Sequence, residues 1–211
     1  MPRFSKRIVR STIGLAIFGF SFVRAGIDFT PTVNEYVAEG VKFQQLVFQH
    51  NKMLIEYEPP RTWVVDGSAT ALHLKPPQKT FAEAIVEAEP LNRAQQLDEA
   101  AQKNLEQKLI ASLPAGSQLV KIEQETESPL LLNGNRTFEV IVSYQVMGEK
   151  FSRSALFANL SDVQVIFRFT ARKNDFEALH SEFRTSILSW RQMEATEASA
   201  ATASAASSTN H

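Results

Sequence analysis

The segment 137–171 constrains the fold more than any other part of this 211-residue chain. Apolar and polar residues alternate along 137–146 and along 163–171, and 151–160 lies between two short turns. A period of two places successive side chains on opposite faces of a strand. We therefore predict an antiparallel meander, preceded by a strand at 118–124, with one well-buried face and one partly covered face.

Shorter strands are predicted before this meander. The apolar runs 41–49 and 53–58 flank a polar turn and indicate a hairpin. Two further strands are expected, at 63–65 and 69–75. The segment 81–89 fits both helical and strand periodicity. Because it is short and has prolines on both sides, we favour a strand.

Two helices are predicted from apolar residues that recur every three or four positions. The first is expected at 93–113, with Asn92 as its N-cap. The second is expected at 175–191, where Asn174 and Glu177 match an Asn-x-x-Glu capping box. The predicted fold is therefore α+β, an antiparallel sheet of about six to eight strands sandwiched by two amphipathic helices.

The N-terminus has the layout of a secretory signal peptide. Four basic residues precede the uncharged apolar stretch 11–23, and Ala25 precedes a possible cleavage site. As a helix, this stretch would be about 20 Å long, shorter than a hydrocarbon core of about 30 Å. We predict that residues 1–25 are removed during export, which would leave the protein periplasmic or extracellular. An uncleaved membrane anchor is the alternative, and it would be the chain's only contact with a membrane.

The other end of the chain has a biased composition. Of the 17 residues at 195–211, 14 are Ala, Ser or Thr. Such a segment has too few large apolar groups to offset the entropy lost on ordering, so we predict a disordered tail. The folded domain is then expected at 41–191.

Composition excludes several functions. The chain has no cysteine, so it has neither a thiol nucleophile nor a cysteine metal site. Without residues 1–25 it carries 17 basic and 23 acidic residues, a net charge of −6. An acidic protein with no basic run is not expected to bind nucleic acid.

No catalytic motif is present. The four histidines are not spaced as metal ligands, and nucleophile-elbow and phosphate-loop motifs are absent. We expect His73 to face solvent and His180 to be half-buried at a helix edge. Glu56 and Glu58 would lie about 7 Å apart, as glycosidase carboxylates do, but any solvent-facing strand gives this spacing. We therefore predict no enzyme, no catalytic residue, no cofactor and no metal.

One short segment has the composition of a binding site. In Pro59-Pro60-Arg61-Thr62-Trp63, an arginine lies close to a tryptophan, and these residue types are enriched at binding hot spots. Arg61 and Trp63 are therefore the candidate protein-binding residues. The alternative for Trp63 is that its ring fills one end of the core.

The order of elements and two local sequences resemble the PsbP/DcrB-like family of exported proteins. The first is Ile55–Trp63, similar to that family's strand, proline and tryptophan entry. The second is Asp175–Trp190, which looks like its terminal helix. The resemblance covers residues 41–191 and implies an antiparallel sheet between helical layers. It also implies an adaptor or accessory role, since members of the family are mostly not enzymes.

Three functions are compared on this basis. The first is an exported, non-catalytic binding or adaptor protein whose partner is another exported or envelope protein. The second is a carrier of a small apolar ligand or lipid, which would need an apolar pocket lined by residues such as Trp63, Phe151 and Phe157. The third is a hydrolase, which would need at least two titratable groups converging in a cleft.

The leader generates the first testable prediction. N-terminal sequencing of the exported protein should find a chain that begins at Gly26, because Ala25 ends the predicted cleavage motif. A mature chain that begins at Met1 or Pro2 would refute cleavage and favour the anchor.

Overall fold

A computed structural model describes residues 26–38, 40–91 and 96–194. The predicted signal peptide and the predicted tail lie outside these residues. The predicted α+β class is confirmed, because strands predominate and two helices pack on them. In chain order the elements are β1 (Asp28–Ala38), β2 (Val41–His50), β3 (Met53–Tyr57), β4 (Val64–Gly67), β5 (Ala71–Lys75), β6 (Glu83–Pro90), α1 (Glu99–Ala111), β7 (Gln118–Leu132), β8 (Asn135–Val146), β9 (Glu149–Asn159), β10 (Val163–Arg172), α2 (Lys173–Ile187) and β11 (Arg191–Glu194).

The strands form two antiparallel sheets rather than the single predicted sheet. The large sheet has seven strands in the order β4-β5-β6-β10-β9-β8-β7. The small sheet has four, in the order β1-β2-β3-β11. The predicted hairpin, which is β2 and β3, belongs to the small sheet, where β1 pairs with β2 and β11 pairs with β3. The ambiguous segment 81–89 is largely strand, and β6 pairs with both β5 and β10.

Each face of the large sheet carries a core, and the expectation of one partly covered face is confirmed, because Arg168 and Thr170 lie on the α1 side beyond the end of that helix. On one face, Phe138, Val140 and Val142 of β8 pack with Leu105 and Leu109 of α1. On the other face, the aromatic side chains of β10 pack beneath α2 and the small sheet. Alternation along each strand therefore supplies two separate cores.

The helix starts differ from the predicted ones. Residues 96–98 are not helical, and α1 begins at Glu99 because the Asp98 side chain accepts a 2.8 Å hydrogen bond from the Ala101 amide. Asn92, the predicted cap, lies outside the described residues. The second helix begins at Lys173, so Asn174 lies inside α2 and its predicted capping box does not form.

The second helix also ends before the predicted boundary. It stops at Ile187, and a short turn then leads into β11, which pairs with β3. Neither helix of the described chain is long and apolar enough to cross a membrane.

The two sheets approach each other closely at Gly67. A Cβ atom at this position would collide with the carbonyl oxygen of Phe29 and would lie 2.6 Å from Cδ of Pro31. The start of β1 therefore crosses the edge strand β4 in backbone contact. This crossing covers the Gly67 end of an edge strand that would otherwise be open for pairing with another chain.

The Gly67→Ala substitution should destabilise the protein by about 1–3 kcal/mol, because the added methyl forces two backbones apart. Urea unfolding followed by circular dichroism measures this change. Asp66→Ala in the same strand is the control, and because Asp66 is exposed we expect a change within about 0.5 kcal/mol. Equal midpoints for the two variants would contradict the close approach.

Candidate functional site

A large concave surface lies between α2 and the β1–β2 hairpin. Its volume is about 1080 Å³, and the segment that joins β3 to β4 forms its floor. We call it the α2 groove. It is lined by Glu35, Lys42, Phe43, Gln44, Glu58, Pro59, Pro60, Arg61, Thr62, Trp63, Ser181, Glu182, Thr185, Ser186 and Ser189.

Trp63 lies at the floor of the α2 groove and is almost fully buried, with 5% of its surface exposed. Its ring is nearly parallel to that of Phe183 and lies 6.0 Å from that of Phe169, centroid to centroid. Its indole Nε1 donates a 3.2 Å hydrogen bond to Glu182. The ring therefore packs in the core between α2 and the large sheet, and only its edge borders the groove.

Arg61 is exposed and belongs to a layer of stacked side chains along the hairpin. Its guanidinium carbon lies 5.5 Å from the ring centre of Phe43, which in turn stacks on Tyr36 at 5.2 Å. The Tyr36 hydroxyl donates a 3.0 Å hydrogen bond to Glu58. Partial desolvation and the bond to Glu58 raise the pKa of Tyr36. The structure thus places Arg61 on the surface of the groove, two residues from a tryptophan that belongs to the core.

The opposite wall of the groove comes from one face of α2 and the turn that follows it. Ser181 and Thr185, like Glu182 and Ser186, are four positions apart, so these two neighbouring rows of the helix face the groove. Ser186 also lies 2.8 Å from the buried Tyr57 hydroxyl, and burial raises the pKa of that tyrosine. Sequence reasoning used the apolar stripe of this helix and missed its hydroxyl-rich face.

The groove carries charges of both signs that are free of ion pairs. Glu35, Glu58 and Glu182 are acidic, and Lys42 and Arg61 are basic. None of the five forms a salt bridge with another described residue, whereas Arg168 and Arg184 each lie within 4 Å of a carboxylate. Glu58 and Glu182 accept hydrogen bonds from Tyr36 and Trp63, but no opposite charge of the described chain neutralises them.

A buried histidine–carboxylate pair lies elsewhere, beneath α2. His180 Nε2 lies 3.0 Å from Glu139, whose side chain is only 2% exposed, and Arg184 approaches the other carboxylate oxygen at 3.6 Å. The imidazole also stacks on Phe176. Glu139 was expected on a partly covered face and His180 at a half-buried helix edge. Both are buried, because a carboxylate in the core needs polar partners and α2 supplies the His180 imidazole and the Arg184 guanidinium.

A second histidine–carboxylate pair fixes the turn between β2 and β3. His50 is buried, and its Nε2 lies 3.0 Å from Asp162, which also accepts a hydrogen bond from the Asn51 side chain. Burial would raise the pKa of Asp162, but its bonds to His50 and Ser161 outweigh burial and lower it. The bonds tie the β2–β3 turn to the large sheet. His50 and Asp162 do not line the α2 groove.

In the described chain, the residues that a lipid carrier or a hydrolase would need do not lie together at one site. Trp63 borders the α2 groove, Phe157 is buried under α1, and Phe151 lines a separate pocket of about 260 Å³. The apolar pocket expected for a carrier is therefore not formed by these three residues. Across the described chain, no group of three histidines or carboxylates has a metal-binding arrangement. His73 is partly exposed and paired with Glu83.

Comparisons with known proteins show that this fold is similar to that of solved structures. No protein-family model matches the chain, and no curated protein matches it. The crystal structure of LpqN, described as involved in cell envelope biogenesis of Mycobacterium tuberculosis, is similar with a TM-score of 0.50 and 12% sequence identity. The match covers 79% of this chain and 93% of LpqN.

A second solved structure matches at a lower score. It is PA94 from Pseudomonas aeruginosa, a protein of unknown function described as a putative regulator, with a TM-score of 0.40 and 14% identity. That match covers 74% of this chain and 93% of PA94. The PsbP/DcrB-like assignment stays a prediction, and what is shown is an architecture shared with LpqN.

The different positions of the two candidate residues predict different effects on stability. Trp63→Ala should lower the free energy of unfolding by about 3–5 kcal/mol, because it leaves a cavity between α2 and the large sheet. Arg61→Ala should lower it by less than about 1 kcal/mol, since it removes only an exposed contact with Phe43. Urea unfolding followed by circular dichroism compares the two variants. Similar losses would show that Arg61 is also part of the core.

Proposed function

We propose that this chain is an exported, non-catalytic binding or adaptor protein that binds another protein of the cell envelope in the α2 groove. The observation that carries this proposal is the set of five charged side chains without ion pairs around an aromatic and proline floor. Protein interfaces commonly combine such a centre of aromatic and arginine side chains with a polar rim.

The shape of the groove favours a protein ligand over a small apolar one. Its volume of about 1080 Å³ is slightly above the usual range for small-molecule sites, about 300–1,000 Å³, and such sites are mostly apolar. Acidic side chains lie on both of its walls, and the basic side chains of Lys42 and Arg61 lie on the hairpin and the floor. A lipid or other apolar ligand would leave these charges desolvated and unpaired, whereas a protein segment of complementary charge would satisfy them.

Two observations support the cell envelope as the location of the partner. The signal-peptide layout of residues 1–25 favours export, and LpqN, which shares the architecture, is described as involved in cell envelope biogenesis. The PsbP/DcrB-like resemblance also implies a binding role. An exported protein meets its partners in the envelope or outside the cell, so we propose that its partner is an exported or envelope protein.

Site-specific photo-crosslinking tests this proposal in cells that naturally produce the protein. A benzophenone amino acid replaces Lys42 or Arg61 inside the groove, or Lys103 or Lys121 outside it. The two control side chains are 65% and 69% exposed. We expect both groove positions to give an adduct with the same protein and both control positions to give none.

A charge reversal makes the test specific for the groove. With the crosslinker at Gln44, Arg61→Glu should reduce the adduct by about tenfold, since a reversed charge in a complementary interface is repelled. Lys121→Glu is the matched control and should leave the yield unchanged. An adduct that is insensitive to Arg61→Glu, or that forms equally from Lys103, would overturn the proposal.

A further inference from the structure

A second pocket lies on the opposite side of the large sheet from the α2 groove. Its volume is about 330 Å³, and Ser112, the C-cap of α1, forms part of its wall. Arg153 of β9 and Arg168 of β10 also line it. Each lies two residues from a side chain that α1 covers, Ala155 and Ile166, so both arginines project from that face just beyond the end of α1.

Arg153 differs from the other described arginines. Arg168, Arg172 and Arg184 each have a carboxylate within 4 Å, and Arg61, Arg136 and Arg191 are exposed. Arg153 is partly buried and forms no ion pair with any carboxylate of the described chain. Among the described arginines, it is the only one whose side chain is partly buried and has no carboxylate partner.

The bonds that Arg153 does make orient its guanidinium without neutralising it. Its Nε donates to the Thr170 hydroxyl at 2.8 Å, and its Nη1 donates to the Ser112 carbonyl at 2.7 Å. These acceptors carry only partial negative charge, although Ser112 lies at a helix C-terminus, where a cation is favoured. Burial lowers the pKa of Arg153, and the charge of Arg168 acts in the same direction against the opposing effects of Tyr144 and Glu87.

The remaining charges of the pocket leave an excess of positive charge. Lys75 also lines it and lies 3.5 Å from Glu83, but the same carboxylate oxygen is 3.0 Å from His73. Arg168 is held by Glu87 at 2.7 Å. Glu83 is therefore the one carboxylate in a wall that has three cations, and it already has two partners.

We propose that this pocket binds the oxyanion group of a small ligand, a phosphate or a carboxylate, with Arg153 as its main ligand. A guanidinium held in a fixed orientation donates charge-assisted hydrogen bonds to such groups and would gain the counter-charge that the protein does not provide. The volume of about 330 Å³ limits the ligand to a compact molecule. The half-exposed ring of Phe81 at the rim would contact its apolar part. This site is independent of the α2 groove.

The test uses the ¹⁵N-labelled full chain and two probes, inorganic phosphate and succinate. Each is titrated at a constant ionic strength maintained with sodium chloride, and amide chemical shifts are recorded. We expect saturable shifts confined to Lys75, Thr80, Ala82, Arg153 and Arg168. Saturation by phosphate alone identifies a phosphate site, and saturation by succinate alone identifies a carboxylate site. Shifts that do not saturate, or that are dispersed over the surface, would overturn the proposal.

A substitution at the exposed rim avoids disturbing the bond between Arg153 and α1. Thr80→Glu places a carboxylate at the pocket, where it would compete with the ligand for Arg153 and weaken binding by about tenfold or more. Thr80→Gln has nearly the same shape without the charge and should keep binding within about twofold. Thermal unfolding should show both variants folded. If the two variants bind the saturating probe, phosphate or succinate, with equal affinity, the assignment is refuted.

Discussion

The contact of Trp190 with both sheets is the interaction on which the rest of the architecture depends. Its ring lies 5.1 Å from Phe167 of the large sheet, and 6.4 Å and 6.0 Å from Phe48 and Tyr57 of the small sheet. Trp190 follows α2 and directly precedes β11, so one residue fixes the end of the helix and the start of the last strand. Aromatic pairs of this kind contribute about 0.5–1.5 kcal/mol each beyond the area that they bury.

The position of α2 follows from that contact, and the α2 groove follows from the position of α2. The stripe of the helix that includes Phe176, Phe183 and Ile187 is buried against the large sheet. The neighbouring stripe of hydroxyl and carboxylate side chains is then left facing the β1–β2 hairpin. The groove is therefore what remains between two elements that are each fixed by their own core contacts.

Local pattern was sufficient to predict much of this fold. The alternation along β8 and β10 predicted both strands, and the turns between them set their neighbours correctly, since β8, β9 and β10 are adjacent. The second sheet was not predictable in this way, because the partners of the hairpin, β1 and β11, are short of apolar alternation and β11 is distant in sequence. The start of α1 was placed too early because apolar periodicity continues past Asp98, whose side chain caps the helix.

Only part of the candidate site could be predicted, because its residues come together from distant parts of the sequence. Segment 59–63 was identified from its composition. Composition alone could not show that Trp63 lies in the core whereas Arg61 lies at the surface. The buried pair of Glu139 and His180 joins residues 41 positions apart, and in sequence each looks like an ordinary polar residue beside an apolar stripe. The polar pocket around Arg153 likewise brings together strands and a helix end that no local motif connects.

The two prolines in the floor of the groove limit how any segment bound there, as we propose, could be recognised. Pro59 and Pro60 have no amide hydrogen, and the amide of Glu58 is already donated to Ser189. A polypeptide lying across this floor therefore finds no run of backbone donors and cannot extend either sheet there. Recognition falls to the side chains, five of them charged, so affinity in the groove should depend on the sequence of the bound segment and decrease as the salt concentration rises.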